Sequence, residues 1–307
     1  MREITVKENE AGQRLDKLLG KILKEAPSSF LYKMLRKKNI VLNGKKATGS
    51  EKTVVGDVIR FFLSDETFDK FAGAQTTEIL QDIPKIQLEI LYETEDILIF
   101  DKPAGMLSQK AKPDDISANE YVLQYLLNKG LIKKEDLNTF KPSVCNRLDR
   151  NTSGLLIAGK TLKGSQQMSR ALKERTIQKY YLCLVKGVIT KPSNIKGYLI
   201  KDEKANRVSI GRTEMPGAKY IETEYQPLEQ REDTTLLQVH LITGRSHQIR
   251  AHLASIGHPI VGDAKYGDCA LNREYAKKGV KRQLLHAYRL VLEDGTEIKT
   301  NIPEDFL

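Results

Sequence analysis

The 307-residue sequence contains no tryptophan and only three cysteines, Cys145, Cys183 and Cys269, which lie far apart. An odd number of widely spaced cysteines argues against a disulfide framework and against a zinc site built from cysteines. No stretch approaches the roughly 18 consecutive apolar residues of a membrane helix, and the first residues contain no apolar signal core. We therefore expect a cytoplasmic protein with reduced thiols and no membrane association.

Acidic residues are scarce in the first fifth of the chain. Overall, 50 Lys and Arg stand against 40 Asp and Glu, which gives a net charge of +10. Residues 1–63 hold 14 Lys and Arg against 7 Asp and Glu, so this segment alone carries an excess of seven positive charges. Such a balance favours a polyanionic partner, with nucleic acid as the first candidate. Charge alone also fits a solvated basic surface without any such partner.

Residues 1–63 have the pattern of a small α/β module. Five apolar residues recur at helical spacing: Leu15, Leu18, Leu19, Ile22 and Leu23. Pro27 breaks this helix and Ser28 can cap a second one. The exposed side of that second helix carries Lys33, Arg36 and Lys37, and a strand ending in an Asn-Gly turn at 43–44 follows.

The rest of the chain predicts a linker and a larger domain. Residues 64–86 turn polar with a local acidic excess, so we expect them to be a linker between domains. In residues 87–307, several short runs alternate in the period-two pattern of antiparallel strands, and helices are predicted for 162–173 and 246–256. The sequence therefore predicts an α+β domain with a mixed, mainly antiparallel sheet and flanking helices.

The stretch 145–156 has the pattern of an active-site loop. It places Asp149 between Arg147 and Arg150, and it continues through the turn formers 151–153 to Gly154, which can adopt a positive φ. An apolar run then predicts a buried strand. From the spacing alone, an ordinary surface ion-pair cluster remains an equally good interpretation.

The same stretch resembles the R-L-D-x-x-T-S-G-L signature of the RluA/RluC/RluD family of pseudouridine synthases. Three more blocks resemble that family's other motifs, in the family's order: Lys102-Pro103-Ala104-Gly105, Lys179-Tyr180-Tyr181, and L-I-T-G-R-S-H-Q-I-R at 241–250. The resemblance covers essentially the whole chain. It implies an enzyme that isomerises specific uridines in RNA, with large-subunit ribosomal RNA as the expected substrate.

The first module has a resemblance of its own. A helix pair followed by an Asn-Gly hairpin is similar to the αL RNA-binding module first recognised in a small-subunit ribosomal protein. This resemblance implies that the basic face contacts phosphates, whereas a charge run in isolation would be read as a solvated helix face. The expected RNA-binding residues are Arg14, Lys17, Lys33, Arg36 and Lys37 of this module, together with Arg147 and Arg245 of the larger domain.

The implied reaction breaks the C1′–N1 bond of uridine, turns the base over and rejoins it through C5 to C1′. Nothing is oxidised and nothing enters or leaves, so the sequence implies no cofactor and no metal. An ionised carboxylate can serve as the nucleophile, and the resemblance assigns that role to Asp149. A partly dry pocket disfavours an ionised carboxylate unless a cation holds it, and the matching family arginine is Arg250. Attack at C6 of the base and at C1′ of the sugar both stay open.

Two more roles follow from the resemblance. Arg147 matches the family position associated with holding the RNA open once the target base has left the stack. Tyr181 matches the tyrosine of the K-x-Y block and can stack on uracil. Since successive strand residues face opposite ways, Tyr180 and Tyr181 cannot both line the pocket, and we expect the other one to have a packing role.

Some residues invite other interpretations. His247, His252 and His258 lack the i, i+4 spacing of helical zinc ligands, so we expect capping or packing roles for them. The family usually has His where this chain has Asn146 and often Asp where it has Asn151. These two departures leave the subtype, and with it the target uridine, open.

Two rival functions compete with a synthase. A noncatalytic RNA-binding or ribosome-assembly factor would need no set of acid, arginine and tyrosine such as Asp149, Arg250 and Tyr181. A glycoside hydrolase or nucleosidase would need a second catalytic acid, and the sequence offers no convincing partner carboxylate. We expect a monomer that requires no protein partner.

Overall fold

A computed structural model of the chain describes residues 1–73, 87–202, 205 and 207–306. Its α-helices are α1 (Leu15–Ile22), α2 (Ser28–Arg36), α3 (Asp65–Ala72), α4 (Ala118–Asn128), α5 (Leu162–Glu174), α6 (Gln248–Ser255) and α7 (Cys269–Lys277). Its strands are β1 (Arg2–Thr5), β2 (Ile40–Leu42), β3 (Lys45–Lys46), β4 (Val58–Phe61), β5 (Glu89–Glu93), β6 (Ile97–Lys102), β7 (Ser143–Val144), β8 (Ser153–Gly159), β9 (Gln178–Lys186), β10 (Ser193–Asp202), β11 (Arg207–Gly211), β12 (Lys219–Gln230), β13 (Thr234–Leu241), β14 (Leu285–Val291) and β15 (Glu297–Lys299).

The N-terminal module contains both predicted helices and the predicted hairpin. Helices α1 and α2 bury their apolar faces against an antiparallel sheet of order β1-β4-β2-β3. Asn43 and Gly44 both have positive φ, as a tight Asn-Gly turn requires. Strand β1 was not predicted from the sequence, because a four-residue edge strand with alternating exposure carries little apolar signal.

The start of the expected linker is helical. Ser64 caps α3 by accepting the Thr67 backbone N–H, and Phe68 packs in the core of the N-terminal module. Arg2 also pairs with Asp65 and Asp69 of this helix. The many polar residues of this stretch conceal its one apolar face in the sequence. Residues 74–86 of the expected linker lie outside the described residues.

Within the described residues, the larger domain is built on an eleven-stranded sheet. The strand order is β11-β10-β12-β13-β9-β14-β8-β6-β5, and in addition β15 pairs with β14 and β7 pairs with β8. Every pairing in it is antiparallel except that of β14 with β8. The predicted mixed, mainly antiparallel α+β fold is therefore confirmed. The one parallel pairing places the start of β8 beside β14, directly after the Asp149 loop.

Helices cover both faces of this sheet. Helices α4 and α6 pack on the face that carries Tyr181 and Cys183, while α5 and α7 pack on the other face. Helix α4 begins at a capping box, in which the Ser117 backbone N–H donates to the Glu120 carboxylate at 2.9 Å. No helix in the described part of the chain is long and apolar enough to cross a membrane.

Candidate active site

The Asp149 loop is fixed by the segment that follows β6. The Ser108 hydroxyl donates to the Leu148 carbonyl at 2.8 Å and accepts the Leu148 N–H at 3.0 Å. Gly105 donates its N–H to the Arg150 carbonyl at 2.8 Å, and the Arg150 Nε donates back to the Gly105 carbonyl at 3.1 Å. Two of the four sequence blocks therefore pack together and hold the residues on either side of Asp149.

Lys102 strengthens this attachment from inside the domain. Its side chain is fully buried, and its Nζ donates to the carbonyls of Pro103, Met106 and Arg150 at 2.9, 2.9 and 3.2 Å. Burial lowers the pKa of Lys102 to about 7, although the charge of Asp149 acts in the opposite direction. Lys102 thus joins both blocks through hydrogen bonds to carbonyls on each side.

The loop ends where the chain must approach another strand closely. Gly154 has φ +113°, and a Cβ there would lie 2.2 Å from the Ala287 carbonyl oxygen. Any residue with a side chain would push β8 away from β14. The predicted positive φ is confirmed, and its cause is this parallel strand pair, which the sequence does not show.

Arg250 bridges two carboxylates. Its Nη1 donates to Oδ2 of Asp149 at 2.7 Å, while its Nε and Nη2 hold the carboxylate of Asp263 at 2.7 and 2.9 Å. Burial alone would raise the pKa of Asp263. The guanidinium and the backbone N–H groups of Lys265 and Tyr266 outweigh it, so that pKa lies below its usual value. The predicted contact between Arg250 and Asp149 is present in the structure.

Sequence reasoning missed Asp263. The only signal for it was an aspartate between Gly262 and Ala264, after a buried strand-like run, and nothing in the sequence pointed to a partner. Its side chain is fully buried and forms a two-point contact with the guanidinium, which fixes the plane of Arg250. Arg250 therefore meets Asp149 with one nitrogen only, and Oδ1 of Asp149 makes no hydrogen bond with the described residues.

The turn before α6 presents Arg250 and His247 to this acid. His247 has φ +54°, a left-handed conformation that is uncommon for a residue with a Cβ. Gln248 stabilises the turn, because its Oε1 accepts from Arg245 N and Thr243 Oγ1, and its Nε2 donates to the Glu222 carbonyl. His247 Nε2 then lies 3.9 Å from Asp149 Oδ1.

The two adjacent tyrosines face opposite sides of β9, as the alternation predicts. Tyr181 is 6% exposed and packs with Cys183 in the core on the α4 and α6 side. Burial and the nearby charge of Asp149 raise the pKa of Tyr181, so its hydroxyl is protonated at neutral pH. Tyr180 stacks on His240 and under Arg289, at an open cavity of about 490 Å³ on the other face.

The expected RNA-binding cations all lie at the surface. Arg147 and Arg245 are exposed beside the Asp149 loop and the α6 turn. Lys17, Lys33, Arg36 and Lys37 are exposed on the N-terminal module, and none of them forms an ion pair with a described residue. Arg14 differs, because it pairs with Asp16 at 2.8 Å, so part of its charge is already neutralised.

The remaining polar candidates have structural partners. His252 Nδ1 hydrogen-bonds the Thr223 hydroxyl at 3.0 Å, and His258 Nδ1 contacts the Lys186 carbonyl at 2.8 Å. In the part of the chain that the structure describes, no group of three or more His, Cys, Asp or Glu is arranged to hold a metal ion. Asn146, where the family usually has His, accepts the Ile157 N–H at 2.8 Å and so joins the loop to β8.

Fold and site together define a class of protein: an α+β enzyme with one partly exposed carboxylate held by a buried arginine, and with a buried tyrosine near enough to be affected by the charge of that carboxylate. A sequence profile described as RNA pseudouridylate synthase matches residues 96–255, which is just over half of the chain. The chain belongs to the RNA pseudouridylate synthase family.

Individual relatives agree with this membership. The chain is 32% identical over 311 residues to ribosomal large subunit pseudouridine synthase C of Pasteurella multocida, covering 98% of this chain and 90% of that protein. It is 34% identical to ribosomal large subunit pseudouridine synthase D of Nitrosomonas europaea, covering 94% and 80%. The solved structure of human RNA pseudouridylate synthase domain containing 1 is 26% identical, covers 72% of this chain and 85% of that one, and has a TM-score of 0.55.

Proposed function

We propose that the protein converts specific uridines of large-subunit ribosomal RNA to pseudouridine, with Asp149 as the nucleophile. The observation that carries the proposal is the unequal environment of the two Asp149 oxygens. Oδ2 accepts the Arg250 hydrogen bond at 2.7 Å, whereas Oδ1 is left without a hydrogen bond to the described residues. A carboxylate that an arginine holds through one oxygen can use the other as a nucleophile.

The choice of substrate rests on the relatives. The two bacterial relatives compared above are named as synthases of the large ribosomal subunit, and each aligns with more than nine tenths of this chain. The exposed cations of the N-terminal module add a surface suited to phosphates, with residues 1–63 as the RNA-binding domain and 87–307 as the catalytic domain. We place the protein in the cytoplasm and propose that it acts as a monomer without a cofactor.

The chemistry needs one covalent intermediate. Asp149 Oδ1 forms a bond to the substrate, the C1′–N1 bond breaks, and the base turns over while it stays in the pocket. A new bond joins C5 to C1′, the carboxylate is released, and the proton on C5 is lost while N1 gains one. Atoms and charge balance whether Asp149 adds to C6 or to C1′. Arg250 neutralises the carboxylate whenever it is free.

Two other residues fit defined steps. Tyr181 is buried near enough to Asp149 to be affected by its charge. Its ring can stack on the base and its protonated hydroxyl can donate a hydrogen bond. Arg147 is exposed two residues before Asp149, where a planar cation can fill the gap left by an extruded base.

The test is pseudouridine formation by the purified protein on transcribed large-subunit ribosomal RNA, read position by position. Small-subunit ribosomal RNA and transfer RNA serve as parallel substrates, and Asp149→Asn serves as the matched inactive control. We expect modification at one or a few positions of the large-subunit RNA only. Modification confined to transfer RNA would refute the substrate, and absence of pseudouridine in all three would refute the function.

A further inference from the structure

Tyr266 connects the site to the edge strand β11. Its hydroxyl accepts the Val208 N–H at 2.9 Å and also lies 3.0 Å from Nδ1 of His247. Its ring packs edge-on against the His247 imidazole and lies beneath the Arg250 guanidinium. Tyr266 lies outside the four sequence blocks, and neither the sequence pattern nor the proposed chemistry gives it a role.

These contacts set the tautomer of His247. Burial raises the pKa of Tyr266, so its hydroxyl keeps its proton. Because that oxygen already accepts from Val208, the proton is free to donate, and Nδ1 of His247 is the acceptor among the described hydrogen bonds. With the Tyr266 hydroxyl as the donor, Nδ1 carries the lone pair and Nε2 carries the hydrogen.

The same imidazole is electrically neutral. Burial lowers the pKa of His247, and the charges of Arg250 and Lys265 add to this effect against the opposing charges of Asp149 and Asp263. The ring is neutral at pH 7 and offers one N–H donor, which a neutral imidazole can use as an electrophile.

The Nε2–H group of His247 has no acceptor among the described residues. Nε2 lies 3.9 Å from Asp149 Oδ1, beyond hydrogen-bond distance, and it donates to none of the described residues. The His247 side chain is 13% exposed and that of Asp149 is 26% exposed, so both side chains reach solvent at this point of the surface. A half-buried donor on a residue with a left-handed backbone, 3.9 Å from the second oxygen of Asp149, is placed to bind an acceptor atom of a ligand that enters from solvent.

We propose that His247 is a catalytic residue that donates its Nε2–H to a carbonyl oxygen of the target uracil, and that Tyr266 is the positioning residue that sets its tautomer. The inference rests on the proposed function. When the C1′–N1 bond breaks, its electron pair stays on the base and spreads to the carbonyl oxygens, which become stronger acceptors. A hydrogen bond that strengthens as this charge develops lowers the barrier. His247 keeps its proton throughout.

The first experiment compares single-turnover rates at saturating RNA for the wild type, His247→Ala, His247→Gln and Tyr266→Phe. His258→Gln is the matched control, because His258 is also hydrogen-bonded through Nδ1 but to the Lys186 carbonyl. Removal of one such donor costs about a hundredfold in rate, and we expect that loss in His247→Ala with RNA affinity unchanged. The Gln amide can place an N–H donor at the Nε2 position, so the single-turnover rate of His247→Gln should be about tenfold higher than that of His247→Ala. Tyr266→Phe should lose several-fold.

The second experiment reads the tautomer by ¹⁵N NMR of the imidazole rings. The spectrum of His247→Gln identifies the His247 signals, which should show a protonated Nε2 in the wild type and a mixture of tautomers in Tyr266→Phe. A protonated Nδ1 in the wild type would overturn the proposal. So would full activity in His247→Ala, or equal losses in His247→Ala and His247→Gln. An inactive wild type would instead refute the proposed function, so the two failures are distinguishable.

Discussion

Asp149 and Arg250 lie 101 residues apart in the chain and are joined by one hydrogen bond of 2.7 Å. The guanidinium has two carboxylate partners and only one of them is buried, because Asp263 is completely enclosed while Asp149 opens to solvent. The buried acid orients the arginine, and the arginine in turn holds Asp149, the proposed nucleophile. The predictions below separate these contributions.

Asp149→Asn should abolish turnover and leave the fold intact, since the amide keeps the shape and removes the nucleophile. Loss of an enzyme nucleophile costs about 10⁴-fold or more. The measurement is pseudouridine formation on the substrate RNA, with thermal melting as the control for folding. Turnover near the wild-type rate would end the mechanism proposed for this carboxylate.

Arg250→Met should be both inactive and less stable. It removes the partner of a fully buried carboxylate, and breaking one side of a buried pair costs about 3 to 5 kcal/mol. Denaturant unfolding measures this loss. The double variant Arg250→Met, Asp263→Asn also removes the buried carboxylate that Arg250→Met leaves without a partner. It should recover part of the stability but none of the activity. A stable, fully active Arg250→Met would separate the arginine from Asp149.

Tyr181→Phe should lose most of the turnover while RNA binding is kept, because the ring can still stack and only the hydroxyl is gone. Tyr180→Phe is the matched control. Its hydroxyl bonds Gln178 on the other face of the sheet, so at most about 1 kcal/mol of stability is lost. The reverse result, an inactive Tyr180→Phe and an active Tyr181→Phe, would show that the substrate pocket lies on the Tyr180 face of β9 and would contradict the assignment of Tyr181.

Replacement of Lys33, Arg36 and Lys37 by Gln should weaken RNA binding and lower its salt dependence. Each phosphate that the protein no longer neutralises reduces the slope of log K against log salt by nearly one, so three phosphates account for about 2 to 3. A control variant with an equal change in charge replaces Arg273, Lys277 and Lys281, which lie on or just after α7. Equal slopes of log K against log salt in the two variants would show that Lys33, Arg36 and Lys37 do not contact the RNA.

Stability should fall as the pH drops from about 6.5 towards 4. Burial lowers the pKa of both His252 and His286 to about 4, whereas the unfolded value is near 6.5. Between these values the unfolded chain binds more protons, so each histidine costs about 1.4 kcal/mol per pH unit as the pH falls. His252→Asn should remove one such contribution from the slope of unfolding free energy against pH. An identical slope in the variant would contradict this.

Sequence reasoning found what is local or periodic. The strand that carries Tyr181, the turn at Gly154 and the helix that carries Arg250 could be predicted because periodicity and turn chemistry are encoded in neighbouring residues. Helix α3 was missed because its apolar signal is essentially Phe68 and Phe71 among charged residues.

The rest depends on contacts between distant parts of the chain. Asp263 acquires its role only when α6 brings Arg250 to it, and Tyr266 only when β11 presents the Val208 N–H. The burial of Lys102 likewise depends on a distant partner, because one of the three carbonyls that accept from it is that of Arg150 in the Asp149 loop. Such relationships arise from tertiary packing, and a single sequence carries no local pattern for them.

The most direct test is a position-by-position pseudouridine map of large-subunit ribosomal RNA from cells that lack this gene. The cells are complemented with the wild-type gene, with the Asp149→Asn variant, or with an empty vector. We predict that one or a few pseudouridines disappear with the gene, return with the wild type and stay absent with Asp149→Asn. A map unchanged by loss of the gene, or restored equally by Asp149→Asn, would contradict the assignment of Asp149 as the nucleophile of a large-subunit pseudouridine synthase.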